Sequence, residues 1–197
     1  MPSGVPAVPP DQRRPCARWR RKGVERRPPV LCKGPGMDTQ TSLMIFQLTC
    51  CLGFALWLSL ALINNLQAFA SSVGAIGVTM SMAPLAQPPA IDMPLLARAV
   101  RSPLMHRLAL SIIVALQVAA VVTAWTGCYE LLFGAGLEAA RPWLNLALSA
   151  TLGFLFGMLL GGLWFGYWIR QEGLQLTHLL LVVWVLANFF VLNVRWS

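Results

Sequence analysis

The sequence predicts an all-α protein, a four-helix transmembrane bundle with a long loop between helices 1 and 2. Composition is the first reason, because 57% of the 197 residues are hydrophobic and 11% are charged, whereas a soluble domain carries roughly 25% charged residues. The second reason is that four uncharged apolar runs are each long enough to cross a hydrocarbon core of about 30 Å. The third is the glycine at every fourth position in the third run, a spacing by which helices associate in lipid.

The four apolar runs set the bounds of the predicted helices. They lie at about residues 43–63, 108–129, 143–169 and 176–194. Aromatic residues close the second and third runs, among them Trp125 and Trp168, as is typical at the headgroup level of a bilayer. The lipid bilayer is therefore the expected environment of residues 37–197. Four crossings leave both chain ends on the same side of it.

Residues 1–36 form a separate basic segment. They hold nine of the fifteen Lys and Arg residues but only two acids, and they are rich in Pro, Arg and Gly. Without apolar periodicity such a segment cannot build a packed core, so we predict a disordered tail. Three interpretations stay open: a cytoplasmic arm, a patch for nucleic acid or acidic lipid, or a segment that is not naturally translated, with the start at Met37. Since a charge run alone is weak evidence for a nucleic-acid surface, no nucleic-acid partner is predicted.

The connection between the first two helices, Asn65 to Arg107, is long and mixed in composition. Small and apolar residues come first, followed by Pro84, Pro88, Pro89 and Pro94. Because proline removes a backbone donor and clashes with the preceding turn, this density excludes a continuous helix. Residues 93–103 place apolar and basic side chains at helical spacing, which predicts a short helix lying in the interface.

Glycines mark one face of the third predicted helix. Gly153, Gly157 and Gly161 recur every fourth residue, and Gly162 follows. Residues without a side chain let a neighbouring backbone come close, so this face is the predicted packing spine of the bundle. Its partner is either another helix of the same chain or a second copy, which leaves a homodimer open.

No motif of an enzyme is present in the sequence. It lacks a Gly-x-Ser-x-Gly elbow, a phosphate loop, a His-Glu-x-x-His motif and a Cys/His metal spacing, so we predict that the protein is not an enzyme. The predicted helices also lack an unambiguous ionisable residue inside the membrane. Such residues usually mark ion or proton paths, and their absence argues against an ion-coupled transporter.

Two histidines are the candidate cofactor ligands. His106 and His178 open the second and fourth predicted helices, which run in the same direction and so place both imidazoles near one interface. Together they could ligate a haem or a metal ion. The alternative is that both are ordinary interfacial polar residues. Methionines near the same face could offer soft ligands to Cu(I), although packing is the simpler interpretation: Met80, Met82, Met93 and Met105.

Amide side chains within the predicted helices suggest hydrogen bonds between helices. Each such bond is worth about 1 kcal/mol in a membrane. The residues concerned are Gln47, Gln117, Asn145, Asn188 and Asn193.

Three short motifs at helix ends resemble one protein family. They are Asn64-Asn65, Arg101-Ser102-Pro103 and the string Gly161-Gly162-Leu163-Trp164-Phe165-Gly166-Tyr167-Trp168. On these residues the chain, from about Leu43 to Asn193, resembles the DUF2165 family of predicted small integral membrane proteins of bacteria. The resemblance implies a four-helix protein of the bacterial inner membrane, with both termini cytoplasmic, the long loop outside and no assigned activity. Family members tend to carry a Glu where this chain has Leu163 and an acid near Gln117, so it implies no carboxylate chemistry here.

Three hypotheses for function follow. The first is a non-enzymatic component that works by association, as an accessory subunit of a membrane complex or as a homo-oligomer. The second is a haem- or metal-bearing redox component that uses His106 and His178, and apart from it no cofactor is predicted. The third is a small-solute transporter. The basic tail favours a cytoplasmic N-terminus. Without the tail, four arginines on the loop side against two on the other favour the opposite orientation.

Overall fold

A computed structural model describes residues 38–194. Within that range the chain forms six α-helices, two short 3-10 helices and no strand. The α-helices are α1 (Thr39–Gln67), α2 (Phe69–Met80), α3 (Ala83–Ala86), α4 (Pro103–Phe133), α5 (Leu137–Trp164) and α6 (Glu172–Asn193). Four of these, α1, α4, α5 and α6, are long and apolar enough to cross a membrane. The predicted all-α architecture with four spans is confirmed, while the predicted tail, residues 1–36, lies outside the described residues.

The spanning helices extend beyond most of their predicted bounds. Helix α1 begins four residues earlier and ends four residues later than the uncharged run suggested. Helix α4 begins at Pro103, a favourable first position because the N–H that proline lacks has no partner there. Polar residues can continue a helix into the headgroup region. Hydropathy therefore predicts which residues lie in the hydrocarbon core and does not predict where the helix ends.

The third spanning helix ends earlier than predicted, at Trp164 instead of residue 169. Gly166 adopts a left-handed conformation with φ 67°, which glycine reaches at little cost because it has no Cβ. The chain then makes a 3-10 turn over Tyr167–Ile169 before α6 begins. This reversal brings Tyr167 back into the bundle, where it is buried.

The connection between α1 and α4 contains more helix than predicted. Helix α2 occupies twelve residues directly after α1, because no proline interrupts the chain before Pro84. The predicted interfacial helix over residues 93–103 is instead a 3-10 helix at Pro94–Arg98. The guanidinium of Arg98 lies 4.3 Å from the ring centroid of Trp164, a cation–π contact that fixes this segment to the end of α5.

Helices α4 and α5 form the central antiparallel hairpin of the bundle. Helix α1 packs on α4, α6 packs on α5, and α2 folds back along α4. The two helices approach closely at Gly127, where an added Cβ would lie 2.6 Å from the side chain of Leu144. Small buried residues, such as Ala120, Ala124 and Ala147, line the same contact.

Four of the five predicted amides make hydrogen bonds between helices. Asn145 and Asn193 donate to each other's carbonyl oxygens at 2.9 and 2.8 Å, which joins α5 to α6. Gln47 donates to the carbonyl oxygen of Val191 at 3.1 Å. Gln117 accepts from Asn65, whereas Asn188 donates to a carbonyl of its own helix, that of Trp184.

Candidate functional site

A cavity of about 440 Å³ lies at one end of the bundle. The end of α1, helix α2, the first turns of α4, the last turns of α5 and the start of α6 surround it. Its lining residues are Asn65, Ser72, Ala75, Ile76, Thr79, Met80, Ala109, Leu110, Ile113, Gly157, Met158, Gly161, Gly162, Phe165, Tyr167, Leu174 and His178. None of these side chains carries a fixed charge. Pockets for small molecules commonly have volumes of roughly 300–1,000 Å³, so the cavity has a typical size for a ligand.

Tyr167 and His178 are neighbours in the cavity lining. Their rings stack with centroids 6.1 Å apart and planes 23° apart, and only 3% and 8% of the two residues are exposed. The Tyr167 hydroxyl and the His178 Nδ1 are buried without a hydrogen-bond partner. Burial also raises the pKa of the Tyr167 phenol, because the anion is poorly solvated there. The hydroxyl therefore keeps its proton and stays available as a donor.

Tyr167 reaches this position because of two glycines. The positive φ of Gly166 turns the chain back, and Gly162 leaves room for the ring, since a Cβ there would lie 2.6 Å from the Tyr167 ring atoms. The aromatic residues on either side stay outside: Trp164 is 56% exposed and Trp168 is 48% exposed. They occupy the peripheral positions expected of headgroup-level aromatics, while Tyr167 is a buried residue of the site.

The remaining polar wall is internally hydrogen-bonded. Asn65 donates to the side-chain oxygen of Gln117 at 2.9 Å and accepts from the hydroxyl of Ser72 at 3.3 Å. Thr79 donates to the side-chain oxygen of Gln171 at 3.2 Å. These bonds join α1 to α4 and α2 to the start of α6, and so they hold the walls of the cavity in place.

The glycine face of α5 borders open space. A Cβ added at Gly157 or Gly161 would meet no atom within 4 Å, and one at Gly153 would meet only Leu116, at 3.9 Å. Of the four predicted packing glycines, only Gly162 is closely covered, and it is covered by a side chain. In the described chain these residues therefore do not bring two helix backbones together. Gly157 and Gly161 give the cavity its width.

The two candidate ligand histidines lie in different surroundings. His106 Nε2 donates to the carbonyl oxygen of Val100 at 2.9 Å, and its ring fills the space beside Gly77. His106 is not among the residues that line the cavity, whereas His178 is. Within residues 38–194 no group of three or more His, Cys, Asp or Glu side chains is arranged to hold a metal ion. Of the four methionines named above, Met80 lines the cavity.

Sequence reasoning named His178 but missed Tyr167, whose ring stacks on that of His178. Tyr167 lies in an aromatic cluster after a long apolar helix, which is the usual pattern of an interfacial anchor. The signal that distinguishes it is the spacing of Gly162 and Gly166, one glycine five residues before the ring and one directly before it. Such a pair leaves room for a chain reversal and for the returning side chain.

The fold and cavity define a small integral membrane protein with four spans and a pocket whose lining carries no fixed charge. The family described as "Predicted small integral membrane protein (DUF2165)" matches residues 43–195. The chain belongs to this family, which confirms the resemblance found in the helix-end motifs. No curated protein and no solved structure matches the chain.

Proposed function

We propose that this protein is a non-enzymatic membrane component that acts by binding, and that the cavity is its binding site. The observation that supports this most directly is the pair of buried polar atoms, the Tyr167 hydroxyl and the His178 Nδ1, that lack hydrogen-bond partners beside a cavity of about 440 Å³. Each buried unpaired group costs about 1–3 kcal/mol. A bound molecule that pairs with them recovers this free energy.

Filling the cavity tests the proposal. Gly161→Leu places a side chain where a Cβ meets no atom within 4 Å, so the fold should tolerate it while the cavity volume falls. Gly53→Leu is the matched control, because Gly53 has equally open surroundings in α1 and does not line the cavity. Native mass spectrometry of the full-chain protein in mild detergent should detect a bound small molecule in the wild type and in Gly53→Leu but not in Gly161→Leu. Equal retention by all three proteins would contradict the proposal.

A second candidate is association, as an accessory subunit or as a homo-oligomer. The observation that favours it is that Gly153 and Gly157 are exposed on α5, a small-residue surface of the kind that a further helix can approach. Gly153→Ile should then lower the oligomer mass measured by light scattering after size-exclusion chromatography. A monomeric wild type with no co-purifying membrane partner would argue against this role.

A haem- or metal-bearing redox role and a transport role stay as alternatives. The redox role now rests on His178, because the Nε2 of His106 is bonded to the backbone. An absorbance spectrum and metal analysis of the purified protein test it, and a chromophore lost in His178→Ala but kept in His106→Ala is the expected pattern. If the protein is a transporter, Gly161→Leu, which fills the cavity, should reduce solute flux into proteoliposomes.

We propose the bacterial inner membrane as the location, with both termini cytoplasmic. The basic tail and the family resemblance support this orientation. The described residues favour the reverse, since Arg98, Arg101, Arg107 and Arg170 lie at the cavity end and Arg141 at the other. Labelling of Ala90→Cys and Ala135→Cys in a cysteine-free background with an impermeant maleimide decides between them. The proposed orientation requires that Ala90→Cys react from outside.

A further inference from the structure

We infer that the ligand of the cavity is a neutral, membrane-soluble molecule in which a carbonyl or hydroxyl oxygen is attached to an apolar body. The inference rests on the proposed binding function and adds the chemical class of the ligand. It follows from three features of the cavity: its lack of charge, the position of its unpaired polar atoms and the position of its opening.

Charge is the first feature. No lining residue is Asp, Glu, Lys or Arg, so a carboxylate or phosphate inside the cavity would lack a fixed counter-ion. Burying an ionised group without a partner is far more costly than burying a neutral one. Anionic groups inside the cavity are therefore disfavoured and neutral molecules are favoured, since the arginines at this end of the bundle are not among the lining residues.

The unpaired atoms define the polar end of the ligand. Tyr167 retains a phenolic O–H, and His178 Nδ1 can donate or accept according to its tautomer. Both residues belong to the part of the chain between the end of α5 and the second turn of α6, next to the aqueous side of the membrane. A ligand oxygen that accepts from Tyr167 would satisfy a donor that the protein leaves unpaired, and because the hydroxyl is buried, the ring must shift to make this contact.

The opening defines the apolar end. Gly157 lines the cavity and is exposed, and it precedes Trp164 by seven residues, or about 10 Å along the helix. This point of α5 faces the hydrocarbon in a protein that spans the membrane. An apolar chain can thus lie along Gly157 and Gly161 and continue into the lipid, while the oxygen reaches the Tyr167 end.

Two kinds of membrane molecule share this chemistry, quinones and acylglycerols. The test titrates full-chain protein in detergent with three probes: decyl-substituted benzoquinone, dioctanoylglycerol and the anionic dioctanoyl-phosphatidylglycerol. Isothermal titration gives the Kd. We expect at least one neutral probe to bind at least tenfold more tightly than the anionic probe, and the neutral probe that binds identifies the source of the oxygen.

Variants make the test specific for the site. Tyr167→Phe keeps the ring and removes the hydroxyl, so it should weaken the neutral probe about 2- to 10-fold. The midpoint of thermal unfolding without ligand should stay equal or rise, because an unpaired buried group is gone. Gly161→Leu should abolish binding, and Gly53→Leu should leave it unchanged.

The outcomes separate the two proposals. Preferential binding of the anionic probe, lost in Gly161→Leu, would overturn the inferred ligand class and leave the binding function standing. Neutral binding that Tyr167→Phe does not weaken would overturn the inferred role of the hydroxyl. If no probe binds, the inferred ligand class is overturned. If, in addition, the native complexes of wild type and Gly161→Leu hold the same molecules or none, the proposed binding function fails as well.

Discussion

The two halves of α5 use small residues in opposite ways. In the first, which we call the closed half, Leu144 and Ala147 are buried against α4, and Leu144 enters the space left by Gly127. In the second, the open half, Gly157 and Gly161 have no neighbouring atom within 4 Å of an added Cβ. The same helix therefore supplies both a close contact of the bundle and part of the wall of its cavity.

This contrast teaches that small residues in a membrane helix have no fixed meaning. Gly127 allows close packing because the opposite helix supplies a side chain that fits the space beside it, that of Leu144. Where no such side chain is present, glycine leaves a void. A void costs the protein dispersion contacts, so strong packing elsewhere must compensate for it. The closed half provides that packing.

The largest expected effect comes from truncating a buried side chain in the closed half. Leu144→Ala removes a side chain that is 1% exposed, and truncation of a buried leucine typically costs 2–5 kcal/mol. We expect a clear fall in the midpoint of thermal unfolding in detergent. Leu174→Ala is the control at the cavity, because Leu174 lies in α6 and is 41% exposed. Equal midpoints for the two variants would break the comparison.

The next effect comes from overfilling the closed half. Gly127→Ala brings a Cβ to within 2.6 Å of Leu144, so α4 and α5 must separate, and overpacking of this kind costs about 1–3 kcal/mol. We expect a lower unfolding midpoint and a reduced yield of folded protein. The double variant Gly127→Ala with Leu144→Ala should lose less than the sum of the single changes. Additive losses would show that the two residues are not in contact.

The matching change in the open half should have the opposite sign. Gly157→Ala adds a Cβ to open space, and replacing a helical glycine by alanine at a compatible position gains about 0.4–1 kcal/mol. The unfolding midpoint should rise slightly. A loss of stability in this variant would place Gly157 in a contact that the described chain does not contain.

The smallest effect concerns the amide pair that joins α5 to α6. A double-mutant cycle with Asn145→Ala and Asn193→Ala should give a coupling free energy of about 0.6 kcal/mol, the average for interhelical hydrogen bonds in a membrane protein. Unfolding in a denaturing detergent measures each of the four proteins. Asn188→Ala is the comparison, because Asn188 bonds within its own helix and should show no coupling to Asn145.

The four spans could be predicted from the sequence because hydrocarbon imposes one simple rule, an uncharged run of sufficient length. Helix α2 could not be predicted by this rule. Its twelve residues are too few to cross, and the prolines that follow drew the prediction towards a loop. The end of α5 was missed because its aromatic residues remain apolar in character after the helix has ended at Trp164.

The candidate site was predictable only in part, for a geometric reason. Periodicity shows which residues share a face of one helix, and it does not show which faces meet. His178 was found as a polar residue at a helix start, and the pairing with His106 followed from the shared interface alone. The structure instead places His178 beside Tyr167, because the reversal at Gly166 depends on backbone conformation that no apolar pattern records.

The unequal lengths of the spans make one side of the protein sensitive to bilayer thickness. Helices α1 and α4, with 29 and 31 residues, can meet a thicker membrane by reducing their tilt. Helix α6 has 22 residues and measures about 33 Å at 1.5 Å per residue, barely more than a hydrocarbon core of about 30 Å. As the bilayer thickens, α6 is therefore the first span that becomes too short to cross the hydrocarbon core. Because Leu174 and His178 are in the first two turns of that helix and line the cavity, we expect the wall of the cavity to respond to lipid thickness.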